Sequence, residues 1–480
     1  MALRKLLVGA VATTMAVALA VPAAGETVEQ SFEDETWDED PDQSLEDSID
    51  ELREVHPYLV DVRTLDMIRT RTQRGFRGRG LEVVIPPGGW RGFGPYARLP
   101  EPADEAWFRY YVYLSDFRPV SSGKLPGPAD ASLTSSAKGC KPSTETAPGW
   151  SARMMFDTLG TAGAGPGEVP IGYYLYHLGQ EGDCGDELMF GMGLEQRRWT
   201  CIEGHVEMNT PGSDDGSIRA WVDGEQVFSR GGLEFRRPGE PLGVREMWDN
   251  VYFGGRDPTP NRLGLVLDEI VVDTGGRLGC LDPFVDDNES VHEGDLTELH
   301  ARNLLFGCGE RLACPFDRLT RAEFAAMLQR VMRTPSGPDA FADDDGHWAE
   351  GAIDSLARAG ILRGCDPPAN SRACPDEPVT RGQVAAMVRR MLSLPAAGED
   401  AFSDDDGHWA EGDIDAIAAA DITRGCEESR YCPQRDMTRG EAGTFTLRID
   451  DRLRAVQTLA PLPDWPPEGP PPPKPPEERE

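Results

Sequence analysis

A repeat of about sixty residues fills the chain after Cys280 and restricts the possible folds more than any other feature. Each copy opens on a phenylalanine that stands two residues before a pair of aspartates, in the segments 284–287, 341–344 and 402–405. Each copy closes on a Thr-Arg pair, after which apolar residues recur at the three- and four-residue spacing of a helix. The repeat predicts three helical units, at residues 281–338, 339–398 and 399–452.

The repeat also predicts where helices begin and end. One helix is expected before a Gly-Cys pair, at residues 353–359 and 414–420 of the second and third copies. Another is expected after Thr320, whose hydroxyl is suited to cap it while Glu323 completes a capping box. The aspartate runs that begin at Asp343 and Asp404 lack the oxygen spacing of an EF-hand loop. We therefore expect them to cap helices and expect no metal site.

The two ends of the chain predict segments outside the folded domains. Arg4 and Lys5 precede an apolar run that ends in small residues, a pattern typical of a secretory signal peptide at residues 1–25. The proline-rich residues 453–480 predict a disordered tail. No other apolar run is long enough to cross a bilayer. The chain is therefore expected to be secreted.

Export allows the ten cysteines to form disulfides. Three close pairs occupy equivalent positions in the three copies of the repeat: Cys308-Cys314, Cys365-Cys374 and Cys426-Cys432. The remaining four cysteines lie outside these pairs, and the sequence leaves their pairing open: Cys140, Cys184, Cys201 and Cys280.

Residues 28–278 show the pattern of an all-β domain. Runs rich in aromatic and β-branched residues, such as 81–85, 107–114 and 265–272, alternate with turns that contain glycine and proline. Asp223-Gly224 separates two such runs and is a strong hairpin signal. These features predict a two-sheet sandwich of the jelly-roll type found in lectins, placed before the helical units.

Five polar residues in this domain could form one site. Ser151 and Arg153 lie two apart on one predicted strand, and Tyr174 and Tyr176 lie two apart on another, so each pair shares a face. Lys124 is one of only five lysines in a chain that otherwise uses arginine. Two cations, two phenols and a hydroxyl would suit proton abstraction next to a carboxylate.

The charge of the whole chain restricts its partners. The formal net charge is −35, which argues against nucleic acid because phosphate would be repelled. The same charge opposes any polyanionic substrate unless a local basic patch overrides it.

The repeats resemble S-layer homology domains of the variety with Gly-Cys and Cys-Pro pairs. The resemblance implies that three copies form an all-α bundle that binds a cell-wall polysaccharide without a covalent bond. It also implies that the arginine of the Thr-Arg motif contacts the acidic polymer. The residues carried over are Arg321, Arg381 and Arg439, with Trp348 and Trp409 as sugar platforms. The alternative interpretation is that the arginines pair with nearby Glu or Gln and that the tryptophans are core residues.

The sandwich region resembles polysaccharide lyase family 14, whose members cleave alginate and related uronans. The resemblance rests on Gly-Lys-Leu-Pro-Gly around Lys124, the Ser151-x-Arg153 and Tyr174-x-Tyr176 pairs, and the segments 209–212 and 252–255. It implies that Lys124, Ser151, Arg153, Tyr174 and Tyr176 are the catalytic residues.

The implied reaction is β-elimination on a uronic acid, which needs no cofactor. Arg153 would neutralise the substrate carboxylate through a bidentate contact. Lys124 would add a second charge or act as the base if burial lowers its pKa. Tyr174 or Tyr176 would shuttle the proton, provided that nearby cations favour the phenolate. A carbohydrate-binding or envelope protein without catalysis is the alternative.

Overall fold

The computed structural model describes residues 27–30, 71–74, 76–77, 79–90, 92, 96–132, 149–157, 164–165, 167–180, 182–249, 251–254, 258–309 and 311–457. The predicted signal peptide, Cys140 and residues 458–480 of the predicted tail lie outside these ranges. A β-sandwich comes first, and a helical region follows it. Among the described residues, no helix is both long enough and apolar enough to span a lipid bilayer.

Sixteen strands form the sandwich in the described part of the chain. They are β1 (Thr27–Gln30), β2 (Arg71–Arg74), β3 (Arg79–Ile85), β4 (Tyr96–Ala103), β5 (Glu105–Phe117), β6 (Gly123–Lys124), β7 (Gly127–Asp130), β8 (Trp150–Phe156), β9 (Val169–Tyr176), β10 (Asp186–Leu194), β11 (Trp199–Glu207), β12 (Gly216–Val222), β13 (Glu225–Leu233), β14 (Val244–Trp248), β15 (Tyr252–Phe253) and β16 (Leu263–Asp273). The strands predicted at 81–85, 107–114 and 265–272 are confirmed as parts of β3, β5 and β16.

The strands form two antiparallel sheets. The first sheet has the order β13-β12-β11-β5-β16-β3-β2, and β1 also pairs with β16. The second sheet has the order β10-β9-β8-β7-β14-β4, and β6 pairs with both β8 and β15. The inner faces of both sheets contribute to one apolar core, as expected for a sandwich.

Side-chain alternation along β8 decides which residues enter this core. Trp150, Ala152, Met154 and Phe156 belong to the core between the sheets. Because successive side chains of a strand point to opposite faces, the residues between them lie on the outer face of the second sheet. That outer face carries the candidate site.

Two local predictions in the sandwich have clear structural outcomes. Asp223-Gly224 joins β12 to β13, and both residues have positive φ (49° and 84°), so the predicted hairpin is confirmed. The amide of the buried Asn209 donates to the carbonyls of Thr210, Ser213 and Arg236. Asn209 therefore holds loop backbone together rather than facing a ligand.

The helical region contains three consecutive units of two helices each. The helices are α1 (Glu293–Ala301), α2 (Arg321–Met332), α3 (Glu350–Arg358), α4 (Arg381–Leu392), α5 (Glu411–Ala419) and α6 (Arg439–Gln457). Thr320 caps α2 by accepting from the Glu323 amide, and the Glu323 carboxylate accepts from the Thr320 amide, so the predicted capping box is confirmed. The prediction that the aspartate runs cap helices is wrong. The N-caps of α3 and α5 are Ala349 and Ala410, without side-chain capping bonds.

Four disulfides link described cysteines. Three close the short loops of the helical units: Cys308–Cys314, Cys365–Cys374 and Cys426–Cys432. The fourth joins Cys201 on β11 to Cys280, at the start of the helical region. Arg198 adds a bidentate contact to Glu298 on α1, with Nε 3.0 Å from Oε1 and Nη2 2.9 Å from Oε2. The sandwich is therefore fastened to the first helical unit by a covalent bond and an ion pair.

Candidate active site

Strand pairing brings four of the five predicted residues together on the outer face of the second sheet. Ser151 lies opposite Tyr176, and Arg153 lies opposite Tyr174, in the antiparallel β8–β9 pair. Directly opposed residues of neighbouring strands have side chains on the same face. The rings of Tyr174 and Tyr176 meet edge to face with centroids 5.3 Å apart.

Lys124 joins the group from a different part of the chain. The short strand β6 pairs with β8, with Lys124 opposite Met155. The Lys124 Nζ lies 3.7 Å from the centroid of the Tyr174 ring, a cation–π contact. Lys124 and Arg153 therefore belong to the same sheet, and all five residues converge on one surface.

Both cations of the site are buried, and neither forms an ion pair with a carboxylate of the described residues. Lys124 is 9% exposed and Arg153 is 7% exposed. Among the described residues, no carboxylate oxygen lies within 4 Å of either cation, and the Nε of Arg153 has no hydrogen-bond partner. Burial of an unpaired charge is costly, so an anionic group that reached this surface would be strongly favoured. The acidic chain thus contains a local positive site.

The environment of the cations lowers both of their pKa values. Burial, followed by the charge of Arg153, lowers the pKa of Lys124 from 10.5 to about 8. Burial lowers the pKa of Arg153 to about 10. Lys124 therefore loses its proton much more readily than an ordinary lysine does.

Burial changes the pKa of the Tyr174 phenol in the opposite direction to the pKa values of the two cations. Burial, followed by a hydrogen bond with Tyr176, raises the pKa of Tyr174 well above 10. The condition that nearby cations favour the phenolate is therefore not met at Tyr174, because burial and the neighbouring Tyr176 both oppose its ionisation. At neutral pH Tyr174 is a neutral phenol that can donate a proton.

Two further aromatic residues, Trp248 and Tyr252, lie at the site, although no spacing along the chain relates them to the five predicted residues. Tyr252 on β15 pairs with Lys124 across the β6–β15 ladder. The Arg153 Cζ lies 5.3 Å from the ring of Trp248 on β14. A Cβ built on Gly254 would lie 3.4 Å from the Lys124 Nζ, which is an ordinary van der Waals distance. The non-local pairings of β6 with β15 and of β14 with β7 bring Tyr252 and Trp248 to the site.

His177, the titratable residue next to Tyr176, has a structural role. Its Nε2 lies 3.0 Å from Asp186 Oδ2, and its Nδ1 accepts from the Gly179 amide. It follows Tyr176 along the chain and is 3% exposed. His177 therefore stabilises the end of β9, whose outward face carries the two phenols.

The three arginines predicted to contact a wall polymer form bonds between the helical units. Arg321 donates from Nε to the Ala373 carbonyl of the second unit, at 2.8 Å. Arg381 donates likewise to the Tyr431 carbonyl of the third unit, at 2.8 Å. Arg439 closes the cycle by donating to the Ala313 carbonyl of the first unit, at 3.1 Å. The three residues are 1% to 6% exposed.

The two tryptophans of the repeat are exposed, in contrast to the three buried arginines. Trp348 is 65% exposed and Trp409 is 63% exposed, so the interpretation of these residues as core is wrong. Each ring lies beside the preceding histidine, with centroids 5.5 Å apart for His347–Trp348 and 5.4 Å for His408–Trp409. The units thus present indole rings to solvent and keep their motif arginines inside.

Comparison with protein families agrees with this division of the chain. The family model for polysaccharide lyase 14 matches residues 86–260, which contain all five residues of the candidate site. The family model for the S-layer homology domain matches residues 401–442, in the third helical unit. The chain therefore has a region that matches polysaccharide lyase 14 and, after it, a region that matches the S-layer homology domain.

Known proteins resemble parts of the chain. An amylopullulanase of Thermoanaerobacterium thermosulfurigenes is 29% identical over 160 residues, 31% of this chain and 8% of the amylopullulanase. An S-layer protein of Bacillus thuringiensis subsp. finitimus is 26% identical over 147 residues, 29% of this chain and 18% of that protein. The match thus spans less than a fifth of either relative. The structure of a PL-14 alginate lyase from Aplysia kurodai aligns with a TM-score of 0.36 and 22% identity, covering 42% of this chain and 86% of that one.

Proposed function

We propose that this protein is a secreted polysaccharide lyase that cleaves an acidic, uronic-acid-containing glycan by β-elimination and is held at the cell wall by its helical units. The observation that carries the proposal is the pair of buried cations, Lys124 and Arg153, on one sheet face without a carboxylate partner among the described residues. A uronate would supply the missing negative charge. We take the sandwich to be of the jelly-roll type and to extend over residues 28–278.

The proposed reaction assigns one step to each group. Arg153 binds the substrate carboxylate and stabilises the negative charge that develops when the adjacent proton leaves. Lys124, in its neutral form, takes that proton. The released electron pair forms the carbon–carbon double bond and expels the O4-linked sugar, whose oxygen takes a proton from the Tyr174 phenol. Ser151 and Tyr176, opposite each other on β8 and β9, would hold the sugar ring in place.

The rate of this reaction should depend on pH through Lys124. The lysine must be neutral to accept a proton, and its pKa in the folded protein is about 8. We therefore expect kcat/KM for a uronan to rise with pH through about 8 and to fall roughly tenfold per unit of pH well below that value. The measurement is the ultraviolet absorbance of the unsaturated uronic product, with alginate and glucuronan as substrates.

A charge-removing variant tests this pH assignment. Arg153→Met should move the midpoint upwards, because the Arg153 charge helps to lower the pKa of Lys124. A midpoint that stays in place would exclude Lys124 as the group that titrates. If the unmodified protein forms no product at any pH but binds a uronan measurably, the alternative of a carbohydrate-binding protein without catalysis is supported.

The helical region is proposed as the anchor. We interpret the units at 281–338, 339–398 and 399–452 as three S-layer homology repeats that form one bundle. The cyclic bonds from Arg321, Arg381 and Arg439 to the neighbouring unit support this interpretation. Their guanidinium groups would contact a wall polymer only at the seams between units, whereas Trp348 and Trp409 offer open aromatic surfaces suited to a sugar ring.

Removal of the two exposed indoles should weaken attachment without weakening the fold. We expect the Trp348→Ala/Trp409→Ala double variant to lose most of its retention by purified cell wall in a sedimentation assay, while its thermal midpoint stays within a few degrees of the unmodified protein. Phe316→Ala is the matched control, because Phe316 is 66% exposed and has no equivalent role. Equal retention of the double variant and the control would refute the platform role.

A further inference from the structure

Each helical unit contains two adjacent aspartates that have different surroundings. In the second unit, Asp343 accepts hydrogen bonds from the Ala373 and Cys374 amides, at 2.7 and 2.9 Å. The equivalent Asp286 and Asp404 bind the corresponding amides of their own disulfide loops. The first aspartate of each pair therefore holds the disulfide loop in place, and its carboxylate has hydrogen-bond partners.

The second aspartate of each pair is buried and unsatisfied. Asp287, Asp344 and Asp405 are 0% to 1% exposed. Neither carboxylate oxygen of any of the three has a hydrogen-bond partner within the described part of the chain. No lysine, arginine or histidine nitrogen of the described residues lies within 4 Å of them. Buried carboxylates normally have donors or cations as partners, so one feature repeated three times requires an explanation.

The second unit shows what could satisfy this carboxylate. Oxygen atoms of Asp339, Asp344 and Asp345 all lie within 4.8 Å of one another. Gly346, with φ of 73°, turns the chain directly after them. Asp354 and Glu350 make the potential at Asp344 more negative. Three carboxylates that converge around a buried, partnerless member form an oxygen-rich environment suited to a hard cation.

We propose that the loop 339–346 of the second helical unit binds a divalent cation, for which Ca²⁺ is the best match. Ca²⁺ accepts six to eight oxygen ligands and tolerates irregular, bidentate carboxylate geometry, whereas Mg²⁺ requires a near-ideal octahedron. Asp344 would be the inner ligand, and Asp339 and Asp345 would close the site from the solvent side.

The other two units repeat this loop in sequence, although among the described residues only the second unit brings three carboxylates within 4.8 Å of one another. The third unit keeps all three carboxylates, as Asp400, Asp405 and Asp406. The first unit has Asp282 and Asp287 but places Asn288 at the third position. Because affinity for Ca²⁺ follows the number of charged ligands, the first unit should bind most weakly. The spacing of these carboxylates differs from that of an EF-hand, which is why a comparison of motifs does not detect the site.

The test measures cation binding on the full-length protein. Tb³⁺ bound in the loop 339–346 should luminesce on excitation of Trp348, which lies four residues after Asp344. Ca²⁺ should displace the bound Tb³⁺ and so remove the luminescence. Asp344→Asn should weaken binding at the second unit by at least about tenfold. Asp345→Asn provides a second, exposed ligand variant that leaves the buried position intact. Glu428→Gln is the control, because it removes one exposed charge outside any of these loops.

Thermal unfolding provides an independent measurement. Ca²⁺ should raise the thermal midpoint of the unmodified protein and of Glu428→Gln, while Mg²⁺ at equal ionic strength raises it less. Without cation, Asp344→Asn should be at least as stable as the unmodified protein, because it removes a buried charge that has no partner. The proposal would be overturned if Ca²⁺ left the thermal midpoint of the unmodified protein unchanged. A large loss of stability in cation-free Asp344→Asn would overturn it as well.

Discussion

Replacement of Lys124 by methionine should lower kcat for uronan cleavage by about 10²–10⁴-fold, the usual contribution of a positioned acid or base. Methionine keeps the apolar length that packs on Tyr174 but removes the group that accepts the proton. Because the variant also removes a buried cation, the free energy of unfolding at neutral pH should rise by up to about 3 kcal/mol. That value corresponds to the lowering of the Lys124 pKa from 10.5 to about 8.

The direction of this stability change follows from the protonation states. Near pH 7 the lysine is protonated in both the folded and the unfolded chain, so the fold bears the full cost of burying the charge. The cost begins to fall as pH rises through about 8, where the folded protein releases the proton, and it is gone only above about 10.5, where the unfolded chain releases its proton too. Arg219→Met, which removes a half-buried cation from the first sheet, is the control. A Lys124→Met variant that is less active and also less stable would indicate a structural role instead.

Replacement of Arg381 by methionine should destabilise the helical region by about 3–5 kcal/mol, the usual cost of removing one partner of a buried ion pair. Its guanidinium is 1% exposed, donates to the Tyr431 carbonyl, lies 3.3 Å from Glu441 and stacks over the Tyr431 ring. Loss of the side chain would leave the Tyr431 carbonyl without this donor, whereas Glu441 would keep its ion pair with Arg435. Denaturant unfolding, followed by helical circular dichroism, measures the effect.

Arg318→Met is the matched control for this prediction. Arg318 also pairs with an aspartate, Asp436, at 3.2 Å, but its side chain is 74% exposed. Exposed pairs contribute about 0–1 kcal/mol, so the control should unfold almost like the unmodified protein. An Arg381→Met variant with unchanged stability but without cell-wall retention would show that the motif arginine contacts the polymer rather than closing the bundle.

The fold could be predicted largely from local patterns. The Asp-Gly hairpin, the capping box at Thr320 and the main strands all depend on residues within a few positions of one another, so they can be read from the chain directly. The prediction for the aspartate runs was wrong because an aspartate that caps a helix and an aspartate that binds a loop backbone look the same in the sequence. Only the tertiary structure shows that Asp343 bonds to amides thirty and thirty-one residues further along the chain.

The candidate site divides in the same way. Two-residue alternation was enough to predict that Ser151 and Arg153 share a face, and likewise the two tyrosines. Their approach to Lys124 and Tyr252 depends on the pairing of β6 with β8 and β15, and their approach to Trp248 depends on the pairing of β7 with β8 and β14. These pairings connect positions far apart in the sequence. Burial also decided the protonation states, since desolvation lowers the pKa of Lys124 and raises that of Tyr174.

The sequence by itself determined the sandwich, the helical repeat and the residue types of the candidate site, because these depend on periodicity and short-range turn chemistry. The tertiary structure alone decided which polar groups are buried. It placed the repeat arginines between units and the indoles in solvent, because a guanidinium can satisfy several carbonyls at a seam. The same packing enclosed three aspartates that have no donor in the described part of the chain, a feature that no local pattern reveals.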